Sequence, residues 1–212
     1  MLTQQRRRLA LIGIALVALT GCFTGERPSL APETSVDDAA VQSVLDRLDR
    51  ADSLDFIATY NIIPSSTGDT TQATVAQLGG RRRVKIGDVE FIADGTVART
   101  CRTDIDECDD FLDDARISDL NLTHRFWSSG IAARLVVDAS RRIGFSEGRT
   151  DTIAGRPAVC VDVPVLGGSV VYCALDAGVL ARYFNADVSI ELTSFSNEVD
   201  ASAFAADADP GV

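Results

Sequence analysis

The chain has 212 residues, 31 acidic against 20 basic side chains, a formal net charge of −11 and 46% hydrophobic residues. A surface this acidic repels nucleic-acid phosphates and anionic lipid headgroups, so nucleic-acid binding is set aside at the outset. The length suits one domain with a substantial core behind a short leader.

The first element is that leader. Arg6, Arg7 and Arg8 precede an apolar run from Leu9 to Leu19, broken only by Gly13. A basic segment followed by a short apolar one reads as a signal peptide, residues 1–21. The run is about half of the ~20 residues needed to span a bilayer as a helix. It ends in Leu19-Thr20-Gly21-Cys22, which resembles the lipobox of bacterial lipoprotein precursors. That resemblance implies cleavage before Cys22 and lipidation of its thiol, leaving the protein anchored on the outer face of the cell membrane. Two or more acyl chains give a stable anchor, since each buried CH₂ contributes about 0.8 kcal/mol. Losing three arginines takes the mature charge to −14. Residues 22–35 hold Gly25, Pro28 and Pro32 without periodicity and read as a flexible tether.

A helix follows, with Ser35 expected as N-cap, Asp37 and Asp38 in its first turn, and Val41, Val44, Leu45 and Leu48 on one face. Strands are expected at Phe56 to Ile62, Thr71 to Leu78, Arg82 to Ile86, Val89 to Ala93 and Thr96 to Cys101. Gly79-Gly80, Gly87-Asp88 and Asp94-Gly95 supply the hairpin turns between the later ones. A helical interlude is expected next, short from Phe111 to Ala115 and longer from Thr123 to Ile143, with Trp127, Ile131, Leu135 and Val136 on one side. Strands resume at Phe145 to Ile153, Ala158 to Val165, Ser169 to Leu175, Val179 to Asn185 and Ala186 to Ser196. Helix, antiparallel meander, helices, antiparallel meander is an α+β order. It predicts a curved antiparallel sheet, an incomplete barrel, covered on its concave face by helices over residues 36–205. Residues 206–212 read as a disordered tail.

Four cysteines remain after Cys22, and an even number in an exported chain reads as disulfides. Four thiols allow three connectivities. A turn at Leu166-Gly167 would set Cys160 directly opposite Cys173, leaving Cys101 and Cys108 to close a short loop. A zinc site is disfavoured, because no Cys-x₂₋₄-Cys pair exists.

The order of elements carries a further resemblance. A leading helix, the strand Asp55-Phe56-Ile57-Ala58-Thr59-Tyr60, the segment Phe91-Ile92-Ala93-Asp94-Gly95, and Val188 to Ser196 followed by Val199-Asp200-Ala201-Ser202-Ala203-Phe204 are similar to the LolA-like superfamily and the actinobacterial LppX/LprG-type lipoproteins. The resemblance implies an apolar cavity between sheet and helices that takes acyl chains; no catalytic motif in the sequence points to an enzyme, and binding by burial alone calls for no cofactor. One lysine against nineteen arginines fits the high-GC genome of such a source.

Alternation along the strands places Phe56, Tyr60, Ile62, Val84, Ile86, Phe91, Val161, Val163, Ile190 and Leu192 on one face, which helices or helices plus a ligand must cover. With Trp127 and Ile131 of the lid, these are the candidate cavity residues, Val84 standing beside them as core. Asp104 to Asp110 and Asp113-Asp114 lack the glycine and closing glutamate of a calcium loop and read as a solvated, disulfide-pinned segment. His124, the only histidine, has no nucleophile elbow or metal-ligand partner in sequence. Arg81-Arg82-Arg83 reads as a charged strand edge, or else as a phosphate contact at the cavity rim. The expected function is binding or carriage of a lipid, glycolipid or lipidated cargo. The alternative is a partner-binding or sensor module with a filled core.

Overall fold

The computed structural model describes residues 38–115, 117 and 122–204. The leader, Cys22, the tether, Ser35 and the tail 206–212 lie outside the described residues.

The first helix, α1 (Ala39–Leu48), is capped by Asp38 and not by Ser35. The Asp38 carboxylate accepts from the amides of Ala40 (3.0 Å) and Val41 (3.3 Å), and also takes a hydrogen bond from Arg142. Val41, Val44, Leu45 and Leu48 are its buried face, as the helical spacing predicts. Burial acts to raise the Asp38 pKa, but the Val41 and Ala40 amides, Ser146 and Arg142 outweigh it and hold the carboxyl below its ordinary value. A depressed folded pKa contributes stability above the unfolded value of about 4, and that contribution is lost as pH falls below it. Asp38→Ala is therefore expected to flatten the acid limb of the stability curve below about pH 4. Urea titrations at pH 3 and pH 6 measure the difference; an unchanged acid limb would exclude this cap as a source of it.

Eleven strands form one open antiparallel sheet: β1 (Phe56–Pro64), β2 (Thr71–Leu78), β3 (Arg81–Ile86), β4 (Val89–Asp94), β5 (Val97–Arg102), β6 (Glu107–Asp109), β7 (Glu147–Ile153), β8 (Arg156–Val165), β9 (Gly168–Leu175), β10 (Leu180–Phe184) and β11 (Val188–Ser196). Their order is β6-β5-β4-β3-β2-β1-β11-β10-β9-β8-β7. Each half is a meander of successive hairpins, and the halves meet only where β1 pairs with β11. Gly79, Gly80, Gly87 and Gly95 hold positive φ in the hairpin turns, a conformation that glycine adopts without the Cβ penalty.

Bulges bend the sheet. On β11, Thr59 and Tyr60 of β1 face Ser194 and Leu192, so Thr193 is extra, and its hydroxyl donates to the Thr59 carbonyl (3.0 Å). On β10, Leu180 and Arg182 face Ala174 and Cys173, leaving Ala181 extra. The chain between β6 and β7 travels from one edge of the sheet to the other. Its described part includes a π-turn (Phe126–Gly130) and α2 (Ile131–Ser140), which lies against α1 over the concave face.

Several expectations need correction. The helix expected from Thr123 to Ile143 is divided. Gly130 and Ile131 donate to carbonyls five residues back, those of Arg125 and Phe126, and Ser128 has non-helical angles (φ −127°, ψ −129°). Phe111–Asp113 is not helical, because the Thr100 hydroxyl donates to the Phe111 carbonyl (2.8 Å) and accepts from the Asp113 amide (2.7 Å), fastening this segment beside β5. β7 begins at Glu147, and Phe145 stands outside the sheet. The short strand β6 falls in the acidic segment that sequence reads as loop.

Arg81, Arg82 and Arg83 are not an edge. They lie on β3, between β2 and β4, and each is engaged. Arg81 sits over the Phe204 ring (4.8 Å), Arg82 pairs with Asp52 (3.1 Å), and Arg83 pairs with buried Glu90. The acidic loop is likewise paired, Asp104 with Arg102 (2.8 Å) and Asp110 with Arg99 (3.3 Å).

Both disulfides join directly opposed residues, Cys101 to Cys108 across β5 and β6 and Cys160 to Cys173 across β8 and β9. The Cα–Cα distances of 4.1 and 4.0 Å are those of close, non-hydrogen-bonded pairs. The second bridge is fully buried. Arg182 on β10 reaches Glu191 on β11 and Asp151 on β7, both at 2.8 Å, so its guanidinium spans the two strands that carry this bridge.

Candidate functional site

Alternation brings the expected concave-face residues together. Ile62, Ile190, Tyr183, Tyr172 and Val161 face one another in a straight row over five strands. Tyr60 opposes Leu192 on one side and Ala73, then Ile86, on the other, while Val84 opposes Phe91. Phe56, Tyr60, Ile62, Ile86, Phe91, Trp127, Ile131, Val161, Val163, Ile190 and Leu192 are all at most 3% exposed. They pack against one another and the lid as one core.

Within that core the aromatic rings form a continuous line. Tyr60 meets Trp127 (5.6 Å between centroids), Trp127 meets Phe126 (5.1 Å), Phe126 meets Tyr183 (5.5 Å) and Tyr183 meets Tyr172 (5.2 Å). Edge-on and tilted contacts of this kind add to the area they bury. The π-turn makes the line possible, since it sets Phe126 and Trp127 both inward at consecutive positions. It also requires glycine at 130, where a Cβ would lie 2.7 Å from the Arg125 carbonyl oxygen.

The two ends of the line differ chemically. At the outer end every polar group is paired. Arg134 donates to the Tyr183 hydroxyl (3.0 Å), Asn185 donates to the same oxygen (2.9 Å), and the Tyr172 hydroxyl donates to Asp138. The Arg134 guanidinium also lies over the rings of Tyr183 (5.5 Å) and Phe126 (5.8 Å). Burial pushes the pKa of Tyr172 far up, with its bond to Asp138 adding to the rise, and burial raises Tyr183 against the opposing pull of Arg134. Both stay neutral hydroxyls at any physiological pH, Tyr172 donating to Asp138 and Tyr183 accepting from Arg134 and Asn185. A groove of about 440 Å³ opens here between α2 and β9–β10, lined by Ala133, Val137 and Val170 on its apolar side and by Arg134, Asp138, Tyr183 and Asn185 on its polar side.

At the inner end two polar atoms have no hydrogen-bond partner among the described residues: the Tyr60 hydroxyl and the Trp127 indole N–H. Each buried group of this kind costs about 1–3 kcal/mol. Two on touching rings place unmet hydrogen-bonding capacity at the inner end of the line, among the described residues.

His124 is not part of this site. Its Nδ1 lies 2.9 Å from Asp114 and its ring rests near Phe91 (6.0 Å), which is a structural role at the start of the lid. The cysteines also lie apart, on the β5–β6 edge and on the outer face of β8–β9. Sequence reasoning missed Arg134, Asp138, Tyr172, Tyr183 and Asn185. The signal available was Arg134 and Asp138 at i, i+4 on an amphipathic helix.

An open, bent antiparallel sheet with helices laid over its concave face defines the class, an α+β domain. Neither a protein-family model nor a curated protein matches the sequence. Among solved structures the chain is similar to MucB, with a TM-score of 0.53 and 17% identity over 81% of this chain and 64% of that one. It is also similar to MucB in complex with MucA(peri) (TM-score 0.49, 16% identity, 79% and 60% covered). LprF from Mycobacterium bovis is a third (TM-score 0.42, 14% identity, 76% and 94% covered). The similarity to MucB is one of fold, and this chain spans less than two thirds of MucB's length.

Proposed function

We propose that the protein is an extracytoplasmic lipoprotein, anchored through lipidated Cys22, which binds the apolar part of an amphiphile between its sheet and its lid. The observation that carries this reading is the pair of buried, unpartnered polar atoms, Tyr60 Oη and Trp127 Nε1, at the inner end of an aromatic line that reaches an amphipathic groove. An acyl chain entering between α2 and β9–β10 follows the rings inward. A polar oxygen carried along that chain, such as a mid-chain hydroxyl or keto group, accepts from Trp127 and Tyr60, while the headgroup stays among Arg134, Asp138 and Asn185. Burial of the chain supplies about 25 cal/mol per Å², and the orphaned donors supply direction. The reaction-free mechanism asks for no cofactor and no catalytic residue.

A second reading, a partner-binding module with a filled core, is favoured by the close packing of the concave-face residues. The two readings separate at Tyr60. Tyr60→Phe removes a buried hydroxyl that has no partner, so it is expected to raise the unfolding free energy by about 1 kcal/mol. Under the amphiphile reading it also weakens ligand binding several-fold. Trp127 is the only tryptophan, so binding is read from quenching of its emission by a brominated fatty acid, with the chain carrying Cys22→Ser. Quenching in the parent and weaker quenching in Tyr60→Phe support the ligand site. Emission that never responds supports the filled core.

A further inference from the structure

The three most exposed large hydrophobic side chains of the described residues are Phe145 (93%), Leu166 (91%) and Ile143 (68%). Two loops carry them, the segment between α2 and β7 and the turn between β8 and β9, and the structure holds those loops together. The Ile143 amide donates to the Pro164 carbonyl (3.0 Å), and Gly144 lies so close to the Pro164 ring that a Cβ there would sit 3.3 Å from it. None of the three side chains is needed by the fold. Leu166 occupies a hairpin turn and Phe145 a linker, places where a polar residue forms the same backbone. Single exposed apolar residues are ordinary, but the largest ones gathered on one tip are a contact surface.

The N-terminal chain ends at the same tip. Arg142, next to Ile143, donates to Asp38, the first described residue, and also lies 3.4 Å from the Ser146 hydroxyl. Asp38 is where the segment from Cys22 enters the domain, and those residues reach at most about 55 Å when fully extended. A lipid on Cys22 thus attaches through a short segment that enters the domain beside Ile143, Phe145 and Leu166.

We propose that this tip is a membrane-docking element: Ile143, Phe145 and Leu166 insert into the interface of the bilayer that holds the anchor, and so fix the domain's orientation on it. The inference rests on the reading of Cys22 as the lipidated residue. The occupant is a bilayer with little surface charge, because a mature chain with a net charge of −14 is repelled by an anionic one. The orientation has a consequence for the groove. Val170 on β9 is four residues from Leu166, and Val137 lies in the last turn of α2, which leads to Ile143, so the groove lies at the end of the sheet that carries the tip. Amphiphiles then pass between bilayer and groove along an apolar path.

The test places a tryptophan on the tip with Phe145→Trp in the lipidated mature protein, reconstituted on phosphatidylcholine vesicles. Parent protein, with buried Trp127 alone, supplies the background. Docking predicts a blue-shifted emission and quenching by brominated phosphatidylcholine at least twofold stronger than in the parent. The double variant Phe145→Asp, Leu166→Asp, made at exposed positions and checked by an unchanged unfolding midpoint, is expected to remain anchored yet to leave the groove variant Val137→Trp less quenched than the same Val137→Trp in the docking-competent background. An unshifted tip in protein that sediments with vesicles overturns the docking element and leaves the anchor standing. A shifted tip in protein whose mass shows no acyl groups upholds docking and overturns the anchor.

Discussion

Replacing Cys160 and Cys173 together by alanine is expected to lower the unfolding free energy by about 3 kcal/mol. The bridge closes a loop with a sequence separation of 13, and the loss of that constraint on the unfolded chain accounts for the estimate. Its position makes the loss global. Both cysteines are fully buried, and they join β8 to β9 within the span of Arg182. The Cys101–Cys108 bridge is the internal control. Its separation of 7 predicts about 2.5 kcal/mol by the same argument. Yet it fastens only the edge strand β6, with Cys108 exposed, so its loss is expected to fray that edge while the rest of the sheet stays folded. Urea unfolding with hydrogen exchange separates the cases: a lower midpoint throughout for the first pair, and lost protection confined to β5–β6 for the second. Equal global losses from both pairs would contradict this division.

The other large effect is expected at Leu135, whose side chain is fully buried beneath α2. Leu135→Ala removes three carbons from the lid's contact with the sheet and leaves a cavity, at a cost of about 2–5 kcal/mol. The polar bonds of α2, Arg134 to Tyr183 and Asp138 to Tyr172, stay in place at the helix flank. The variant therefore separates apolar attachment of the lid from its polar latch. Calorimetry is expected to show a lower midpoint. The proposed amphiphile site predicts in addition that a bound acyl chain recovers part of the loss, because ligand that binds only the folded state stabilises it.

Much of the sheet was legible because its signals are local. Alternation in Phe56 to Ile62 and the glycine turns at 79–80, 87 and 95 each act within one hairpin, and the Leu166-Gly167 turn set Cys160 opposite Cys173. The closure of β1 on β11 pairs residues about 130 positions apart, and no turn chemistry specifies its register; only the shared apolar face does. β6 was illegible because it is a three-residue acidic strand that exists through its disulfide and its pairing with β5. The lid's kink is a milder failure. Ser128, Ser129 and Gly130 are poor helix formers in an otherwise apolar run, and they are where the helix breaks. The helix cap fell at Asp38 because a carboxylate there gains Arg142 as a partner from 104 positions away, which local sequence does not reveal.

The candidate site divides the same way. The inward parity of eleven concave-face residues came from the strand pattern and from the lid helix. The polar cluster at the groove did not, since Arg134 with Tyr183 and Tyr172 with Asp138 are joined across 49 and 34 positions. Arg81 to Arg83 were misplaced because three adjacent charges read as an edge, even though the turns at 79–80 and 87–88 set strands on both sides. The partners that engage them, Phe204, Asp52 and Glu90, come from elsewhere in the chain.

The account turns on whether an amphiphile occupies the space between lid and sheet. Native mass spectrometry with lipid extraction, on protein purified from its host membrane with Cys22 replaced by serine, tests this most directly, because any lipid found is then cargo and not anchor. The account predicts a stoichiometric lipid adduct that is diminished in Tyr60→Phe. A clean unliganded mass in both proteins would contradict it and leave the filled-core, partner-binding module in its place.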